Sequence, residues 1–413
     1  METDKIGILG HGIKGKPCAE RWSSGEWKEL VCLFLEDQSE SGIAAYLLEH
    51  YLDEVISGME ALRDRLQLRS IRALLSKNYG DYEEGFRLRG IQTVLTDDIK
   101  GAQKETFKEG VLVHHGETML ALHQCLTEES YVPHKIVAVT GDVAEPGIYE
   151  IPFGITLEEI IAKYGKGVTA GKMVKFVSAG GNMGAVFGAD ELDTPFTYSS
   201  LLKEGTMLEA AKIEVFSNDT CIVDWTCKRM LLNSRKTCGT CVYCREGIYQ
   251  LFRILQDATE GKGREGDCSV MMEICDTLKT GTLCDIGRTA AAPLTTAIKK
   301  FGEEFEKHID RKICQSLSCI SYVNFYIDPA VCNGCGDCMA CPRHAVRGGE
   351  NLIHIIDTDL CTKCERCTEV CKRNAVKRYG TVKPVLPDEP AQVGSFSAES
   401  NGMKKGLGRR RRV

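Results

Sequence analysis

Two runs decide how the chain is read: Cys332-Asn-Gly-Cys335-Gly-Asp-Cys338-Met-Ala-Cys341-Pro342 and Cys361-Thr-Lys-Cys364-Glu-Arg-Cys367-Thr-Glu-Val-Cys371. A further set lies upstream, Cys238-Gly-Thr-Cys241-Val-Tyr-Cys244, joined forty positions later by Cys284. Together they take twelve of the 21 cysteines. Two-residue gaps let successive thiolates curl round one small inorganic core while a fourth ligand arrives from elsewhere in the fold. Cubane iron–sulfur clusters are held in this way. Two such runs in tandem read as a two-cluster ferredoxin, in which the fourth cysteine of each run crosses to the other cluster. That rule groups Cys332, Cys335 and Cys338 with Cys371, and Cys361, Cys364 and Cys367 with Cys341. With Cys238, Cys241, Cys244 and Cys284, the expectation is three [4Fe-4S] clusters.

Zinc also occupies paired Cys-x-x-Cys sites, but three cysteines at two-residue gaps, twice over, is not its usual spacing. Disulfides need an oxidising compartment, and the opening residues METDKIGILG show no secretory pattern. One irregularity stands out. Only Met339 and Ala340 separate Cys338 from Cys341 where three residues are usual. The loop at Cys341 is expected to be tighter than its counterpart at Cys371, which is followed by Lys372 rather than proline.

The 413 residues suffice for about two to four domains. No apolar run approaches the ~20 residues that span a bilayer. A net charge of −6 argues against a general nucleic-acid binder. Aromatics at 7% leave no stacking platform. Abundant cysteine without an export signal implies a reducing, cytoplasmic, anaerobic setting.

The order of patterns implies an α+β multidomain chain. Residues 1–132 read as a compact α/β region. A strand at Ile6–Leu9 runs into the loop Gly10-His-Gly12-Ile-Lys-Gly15-Lys-Pro17, and Glu29–Leu35 is a buried strand. Apolar residues at Ile43, Leu47, Tyr51, Val55, Met59 and Leu62 mark a helical stripe, with a second helix over Thr118–Leu126. A glycine loop after a strand can cradle phosphate, and a plain turn explains it equally well. Residues 133–216 read as a β-grasp module with strands at Lys135–Thr140, Ile148–Ile151 and Val174–Val177. Its helix spans Thr156–Tyr164 with Thr156 as cap. Residues 217–312 form a helical cluster domain with helices at Ile248–Asp257, Ser269–Lys279 and Pro293–Ile309. Residues 313–380 are the ferredoxin domain, and 381–413 a polar, disordered tail ending in Arg409–Arg412.

Five motifs then fall in a fixed order: Glu145-Pro-Gly147-Ile-Tyr149, Leu192-Asp-Thr-Pro195, Thr220-Cys221-Ile-Val-Asp224, Thr237-Cys-Gly-Thr-Cys-Val-Tyr-Cys-Arg-Glu-Gly247 and Leu283-Cys284-Asp-Ile-Gly287. From about residue 135 onward the chain resembles the NADH- and flavin-binding subunit of respiratory complex I. With the appended ferredoxin it resembles the beta subunit of NAD-linked, electron-bifurcating iron-only hydrogenases. The resemblance implies a soluble-ligand-binding β-grasp domain and a first cluster that takes electrons from a flavin. The implied partners are other redox subunits, among them a thioredoxin-like [2Fe-2S] subunit and a catalytic or flavin subunit, with ferredoxin as a further partner. It also implies a structural zinc on Cys221, Cys314, Cys319 and His354, a closed tetrahedral set. The other cysteines outside the clusters read as small buried apolar residues.

The N-terminal third departs from the family. Gly10, Gly12, Gly15 and Glu117 are what is left to contact FMN, Glu117 within the remnant Gly116-Glu117-Thr118. Ile13 stands where glycine is expected, Lys16 replaces a phenylalanine, and Ala19 replaces another glycine. Cys32-Leu33-Phe34-Leu35-Glu36-Asp37-Gln38 replaces an Asn- and Asp-bearing run, and a further segment before Lys135 is missing. Leu33 and Leu35 offer no hydrogen bonds to a flavin ring, and each polar group left unpaired costs about 1–3 kcal/mol. These residues argue against retained FMN and against NADH oxidation. The expected function is an iron–sulfur electron-transfer subunit of a multisubunit oxidoreductase, without bond chemistry of its own. The second reading is an NAD(P)H-oxidising flavoprotein whose divergent site still binds FMN.

Overall fold

The computed structural model describes residues 10–11, 16–35, 41–105, 108–206, 208 and 211–396. The strand expected at Ile6–Leu9, the loop residues Gly12, Ile13 and Gly15, and the arginine-rich terminus lie outside the described residues. The chain divides into two compact units, Met1–Gln256 with Gly266–Phe305, and Asp257–Glu265 with Glu306–Val413.

In the first unit, Gly10–His11 pairs antiparallel with Lys16–Pro17. Four parallel strands follow: β1 (Glu29–Phe34), β2 (Ser70–Leu75), β3 (Gln92–Leu95) and β4 (Val111–His115). They lie in the order β3-β2-β1-β4. The stretch Glu29–Leu35 is apolar nearly throughout because both faces are covered, as parallel sheets require. Leu30, Cys32 and Phe34 enter one core, and Val31 and Leu35 the other. The helical stripe splits at Tyr51 into α1 (Ile43–His50) and α2 (Leu52–Leu66). α3 (Gly116–Thr127) leaves the end of β4 and crosses α2 closely. A Cβ added at Gly58 of α2 would fall 2.0 Å from the Met119 carbonyl oxygen of α3, so glycine alone allows the crossing.

Next comes a five-stranded mixed sheet. Its strands are β5 (His134–Gly141), β6 (Gly147–Pro152), β7 (Val174–Ala179), β8 (Ala185–Gly188) and β9 (Lys212–Ser217), in the order β8-β7-β9-β5-β6. β9 runs parallel to β5, and the other pairs are antiparallel. α4 (Leu157–Lys163) begins with a capping box. Thr156 Oγ1 accepts from the Glu159 amide at 3.1 Å, and Glu159 Oε2 accepts from the Thr156 amide at 2.8 Å.

The helices are α5 (Ile222–Lys236), α6 (Val242–Thr259), α7 (Asp267–Gly281), α8 (Asp285–Thr289) and α9 (Ala292–Ile309), the last with non-helical backbone at Phe301. An aromatic cluster joins the mixed sheet to α5 and α9. Phe176 meets Phe216 at 4.7 Å between ring centroids, Trp225 at 5.3 Å and Phe301 at 6.0 Å.

The second unit carries β10 (Asn324–Ile327), β11 (Val346–Arg347), β12 (Ile355–Ile356), α10 (Arg366–Val370) and β13 (Val376–Tyr379). β10 pairs with β13, and β11 with β12, both antiparallel. The stretch after Tyr379 does not behave as a solvated tail as far as Phe396. Ile353 N–H donates to the Ala391 carbonyl at 2.6 Å, and Val393 N–H to Asn351 at 3.0 Å. Ala391 and Phe396 pack on the apolar core around Phe325 and Ile353, an apolar anchor that the polar composition of this stretch hides.

Candidate metal centres

The first cysteine loop joins α5 to α6, and Gly239 turns it with φ 80°. Leu283 N–H donates to Cys241 Sγ at 3.4 Å, which draws the Cys284 segment onto the loop. Gly287 sits so close to Thr282 that an added Cβ would lie 2.8 Å from its Cβ. Burial pushes the Cys244 thiol up to about 12, with the charges of Cys284, Cys241 and Cys238 pressing the same way. Burial also raises Cys284, reinforced by Cys238 and Cys241. At Cys238 burial acts upward too, but hydrogen bonds with Thr240 outweigh it and lower the thiol. Four thiols in mutual electrostatic range suit a metal cluster, which binds them as thiolates and releases their protons.

Buried polar groups hold this centre to the mixed sheet. Arg229 of α5 bonds Asn182 and Glu214, and Glu214 pairs with Lys212 at 3.0 Å. Asn233 Nδ2 donates to the Asn182 carbonyl at 3.1 Å and to the Ala290 carbonyl at 2.8 Å, at the end of α8. Since α8 starts directly after Cys284, this chain of bonds fixes where the fourth thiol of the loop lies.

In the second unit the two ferredoxin runs repeat each other in backbone angle. Gly334 and Gly336 have φ 71° and 84°, and their counterparts Lys363 and Glu365 have φ 59° and 61°. His344 and Asn374 have φ 52° and 50°. A side chain in this left-handed region costs about 1–2 kcal/mol. The residue missing before Cys341 is absorbed in the helix type. Asp337–Ala340 is a four-residue 3₁₀ turn where the second run has the five-residue α10. The tighter winding delivers Cys341 with one residue fewer.

Burial pushes the Cys338 thiol up to about 12, with Cys332, Cys335 and Cys371 adding to the push. Burial raises Cys367, with Cys361 and Cys341 adding. The thiols thus gather across the runs, Cys371 with the first and Cys341 with the second. Amides bond two of the sulfurs, Ala375 N–H to Cys371 at 3.3 Å and Lys363 N–H to Cys361 at 3.4 Å. Cys335 and Cys364 are exposed.

His354 sits apart from Cys314 and Cys319. It is buried with Nδ1 3.8 Å from Cys332 Sγ, and a Cβ at Gly348 would fall 2.2 Å from its ring. The imidazole beside the other two cysteines is His308, whose Nε2 lies 3.2 Å from Cys319 Sγ. The ligand atoms of His308, Cys314 and Cys319 lie within 4.8 Å of one another, and all three residues are buried. Sequence reading passed over His308 because it closes an amphipathic helix. Its spacing, six positions before Cys314, was the available signal. Cys221 is buried at the N-cap of α5 in the first unit. Of the remaining cysteines, Cys18, Cys32, Cys125, Cys227 and Cys275 are buried and Cys268 is half-buried.

The residues expected to contact flavin are differently placed. Gly10 lies in the two-residue ribbon, and Gly12 and Gly15 are outside the described residues. Glu117 bonds Lys135, and its Oε1 accepts from the Ile136 amide at 2.7 Å. In a sheet ordered β3-β2-β1-β4, ligands lodge outside the carboxyl ends of β1 and β4, where the strand order reverses. Here the buried Phe34 ring covers the start of α3. A Cβ at Gly116 would fall 2.3 Å from its edge. Trp22 Nε1 donates to His114 Nε2 at 2.9 Å inside the same core.

Residues 226–308 match the family described as the NADH-ubiquinone oxidoreductase-F iron–sulfur binding region, which takes in Cys238, Cys241, Cys244 and Cys284. Residues 354–377 match the 4Fe-4S binding domain, which takes in Cys361, Cys364, Cys367 and Cys371. The chain thus carries an iron–sulfur region of the oxidoreductase-F type and a ferredoxin-type one. Among the relatives of this chain is "NADP-reducing hydrogenase subunit HndC" of Solidesulfovibrio fructosivorans, 33% identical over 53% of this chain and 45% of that protein. The F-type subunit of NADH-quinone oxidoreductase in Aquifex aeolicus is 26% identical over 76% of this chain and 86% of that protein. Its counterpart in Streptomyces coelicolor is 34% identical over 43% of this chain and 40% of that protein. The chain spans less than half the length of the first of these relatives and of the Streptomyces one. In fold it is similar to a chain of a crystallised NAD+-reducing [NiFe]-hydrogenase, with TM-score 0.64 and 18% identity over 75% of this chain and 62% of that one. No helix among the described residues is long and apolar enough to cross a membrane.

Proposed function

We propose that this oxidoreductase-F relative is an electron relay within a multisubunit oxidoreductase, holding three [4Fe-4S] clusters on its three sets of four cysteines. The gathering of the ferredoxin thiols across the runs carries the reading, since Cys338 is pressed by Cys371 and Cys367 by Cys341. The clusters would supply single-electron transfer at potentials set by burial and by hydrogen bonds to sulfur. The chain's part is to present thiolates, to keep water from Cys244, Cys332 and Cys338 by burial, and to aim amides at Cys241, Cys361 and Cys371. The mixed sheet, with its hairpin beside a parallel final strand, serves as a β-grasp module that seats the first centre. Cys314, Cys319 and His308 suit three corners of a closed zinc site. The partners would be other redox subunits, including a thioredoxin-like [2Fe-2S] subunit and one that binds flavin.

The flavoprotein reading is disfavoured by two observations: Phe34 packs on Gly116 beside the point where the strand order reverses, and Glu117 is engaged by Lys135 and Ile136. The test is anaerobic purification followed by iron determination and fluorescence of flavin released on denaturation. About twelve iron atoms and no flavin are expected. Stoichiometric flavin would return the chain to the NAD(P)H-oxidising class, and far less iron after reconstitution would end the relay.

A further inference from the structure

The two ferredoxin runs repeat in backbone, yet their charges differ. Between Cys361 and Tyr379 lie Lys363, Arg366, Lys372, Arg373, Lys377 and Arg378 against Glu365 and Glu369, a net +4 in a chain of net −6. The sister stretch from Cys332 to Arg347 has Arg343 and Arg347 against Asp337, a net +1. Both carboxylates of the basic stretch are already paired, Glu369 with Arg366 at 3.3 Å and Glu365 with Arg378. Lys363, Lys372, Arg373 and Lys377 have no ion pair or side-chain hydrogen bond among the described residues. Lys372, Arg373 and Lys377 are exposed and Lys363 is half-buried.

These charges flank cluster ligands covalently. Lys363 directly precedes the exposed Cys364, and Lys372 directly follows Cys371. Lys363 also holds a left-handed backbone position where the sister run has Gly334. Strain of this kind persists only where the surrounding structure holds it, and it clusters at functional sites. The equivalent exposed thiol, Cys335, has glycine on both sides and no neighbouring cation.

We propose that the basic stretch around Cys364 is the docking surface for a small acidic electron-carrier protein. This rests on the relay reading. One electron passes between the carrier and the centre on Cys361, Cys364, Cys367 and Cys341. The reduced member loses it, the oxidised member gains it, and no bond is made or broken. Complementary charge raises encounter rates and orients partners, and it weakens with salt. A nucleic acid is the poorer occupant, because a long polyanion meets a net-negative chain beyond this stretch.

The test is binding of the full-length, anaerobically prepared chain to a small acidic plant-type ferredoxin, with a basic cytochrome c and a short single-stranded DNA as comparison probes. Binding to the acidic probe should weaken with rising salt. The variant Lys363→Glu/Lys372→Glu/Arg373→Glu/Lys377→Glu should raise its Kd by about tenfold or more at low salt. Arg343→Glu in the sister run should leave it nearly unchanged. An unaltered Kd in the fourfold variant, an equal loss in Arg343→Glu, or tighter binding of the DNA would overturn the proposal. Iron content and bleaching by dithionite, measured on the same samples, report separately on the relay. Clusters intact without carrier binding would sink only the docking surface, whereas absent iron would sink the relay while the Kd comparison still judges the surface.

Discussion

His308 Nε2 lies 3.2 Å from Cys319 Sγ, inside the second unit and out of reach of solvent. A buried imidazole beside two buried thiols suits a structural zinc far better than an apolar packing role. His308→Ala should therefore remove most of the roughly one zinc per chain expected of such a site. His354→Ala should retain it. Elemental analysis by mass spectrometry checks both variants, and full zinc in His308→Ala would discard the assignment.

The proposed crossing of Cys341 and Cys371 between runs predicts a reciprocal pattern of loss. Cys371→Ser should damage the centre of Cys332, Cys335 and Cys338, and Cys341→Ser the other. Each should lower iron by about a third, with a different electron paramagnetic resonance signal lost in each. Loss of the same signal in both variants would contradict the crossing.

Gly58 is a packing constraint that can be measured. Gly58→Ala should destabilise the first unit by about 1–3 kcal/mol, since the new methyl meets backbone rather than a side chain that can move aside. Thermal unfolding compared with Gly302→Ala checks it, because nothing lies within 4 Å of a Cβ added at Gly302. Equal melting temperatures for the two variants would refute the close crossing.

Asp142 gives the mixed sheet a pH dependence. Burial pushes its carboxyl up, but hydrogen bonds from Lys172 at 2.7 Å and from the Ser217 amide at 2.9 Å outweigh it and hold the group below the ordinary value. A folded-state value below the unfolded one means that the carboxylate stabilises the fold above the unfolded value, about 3.9, and that this is lost as pH falls through the folded value. The melting temperature of Asp142→Asn should lie below the parent's above about pH 5, with the gap closing below about pH 4. A gap that persists unchanged in acid would show that it does not come from the charge of the carboxylate.

Composition and spacing made much of the chain legible. Glu29–Leu35 reads as a buried strand because its apolar run leaves no polar face, and Thr156 reads as a cap because Glu159 follows at the reciprocal spacing. The strands at Ser70–Leu75 and Val111–His115 left weaker marks, since Arg72, His114 and His115 interrupt their apolar pattern. Arg72 is accommodated by pairing with Glu29 at 2.8 Å and Glu105 at 3.1 Å, partners that lie far off in sequence.

The amino-acid order alone marked out the cysteine runs, because two-residue gaps are a local property of the backbone, while Cys284, forty positions on, is brought near its run by the fold. The placing of His308, and not His354, beside Cys319, the covering of Gly116 by Phe34 and the engagement of Glu117 by Lys135 were decided only in three dimensions. Each depends on side chains brought together by packing, and for Phe34 with Gly116 the segments are so far apart in sequence that no local spacing encodes the meeting.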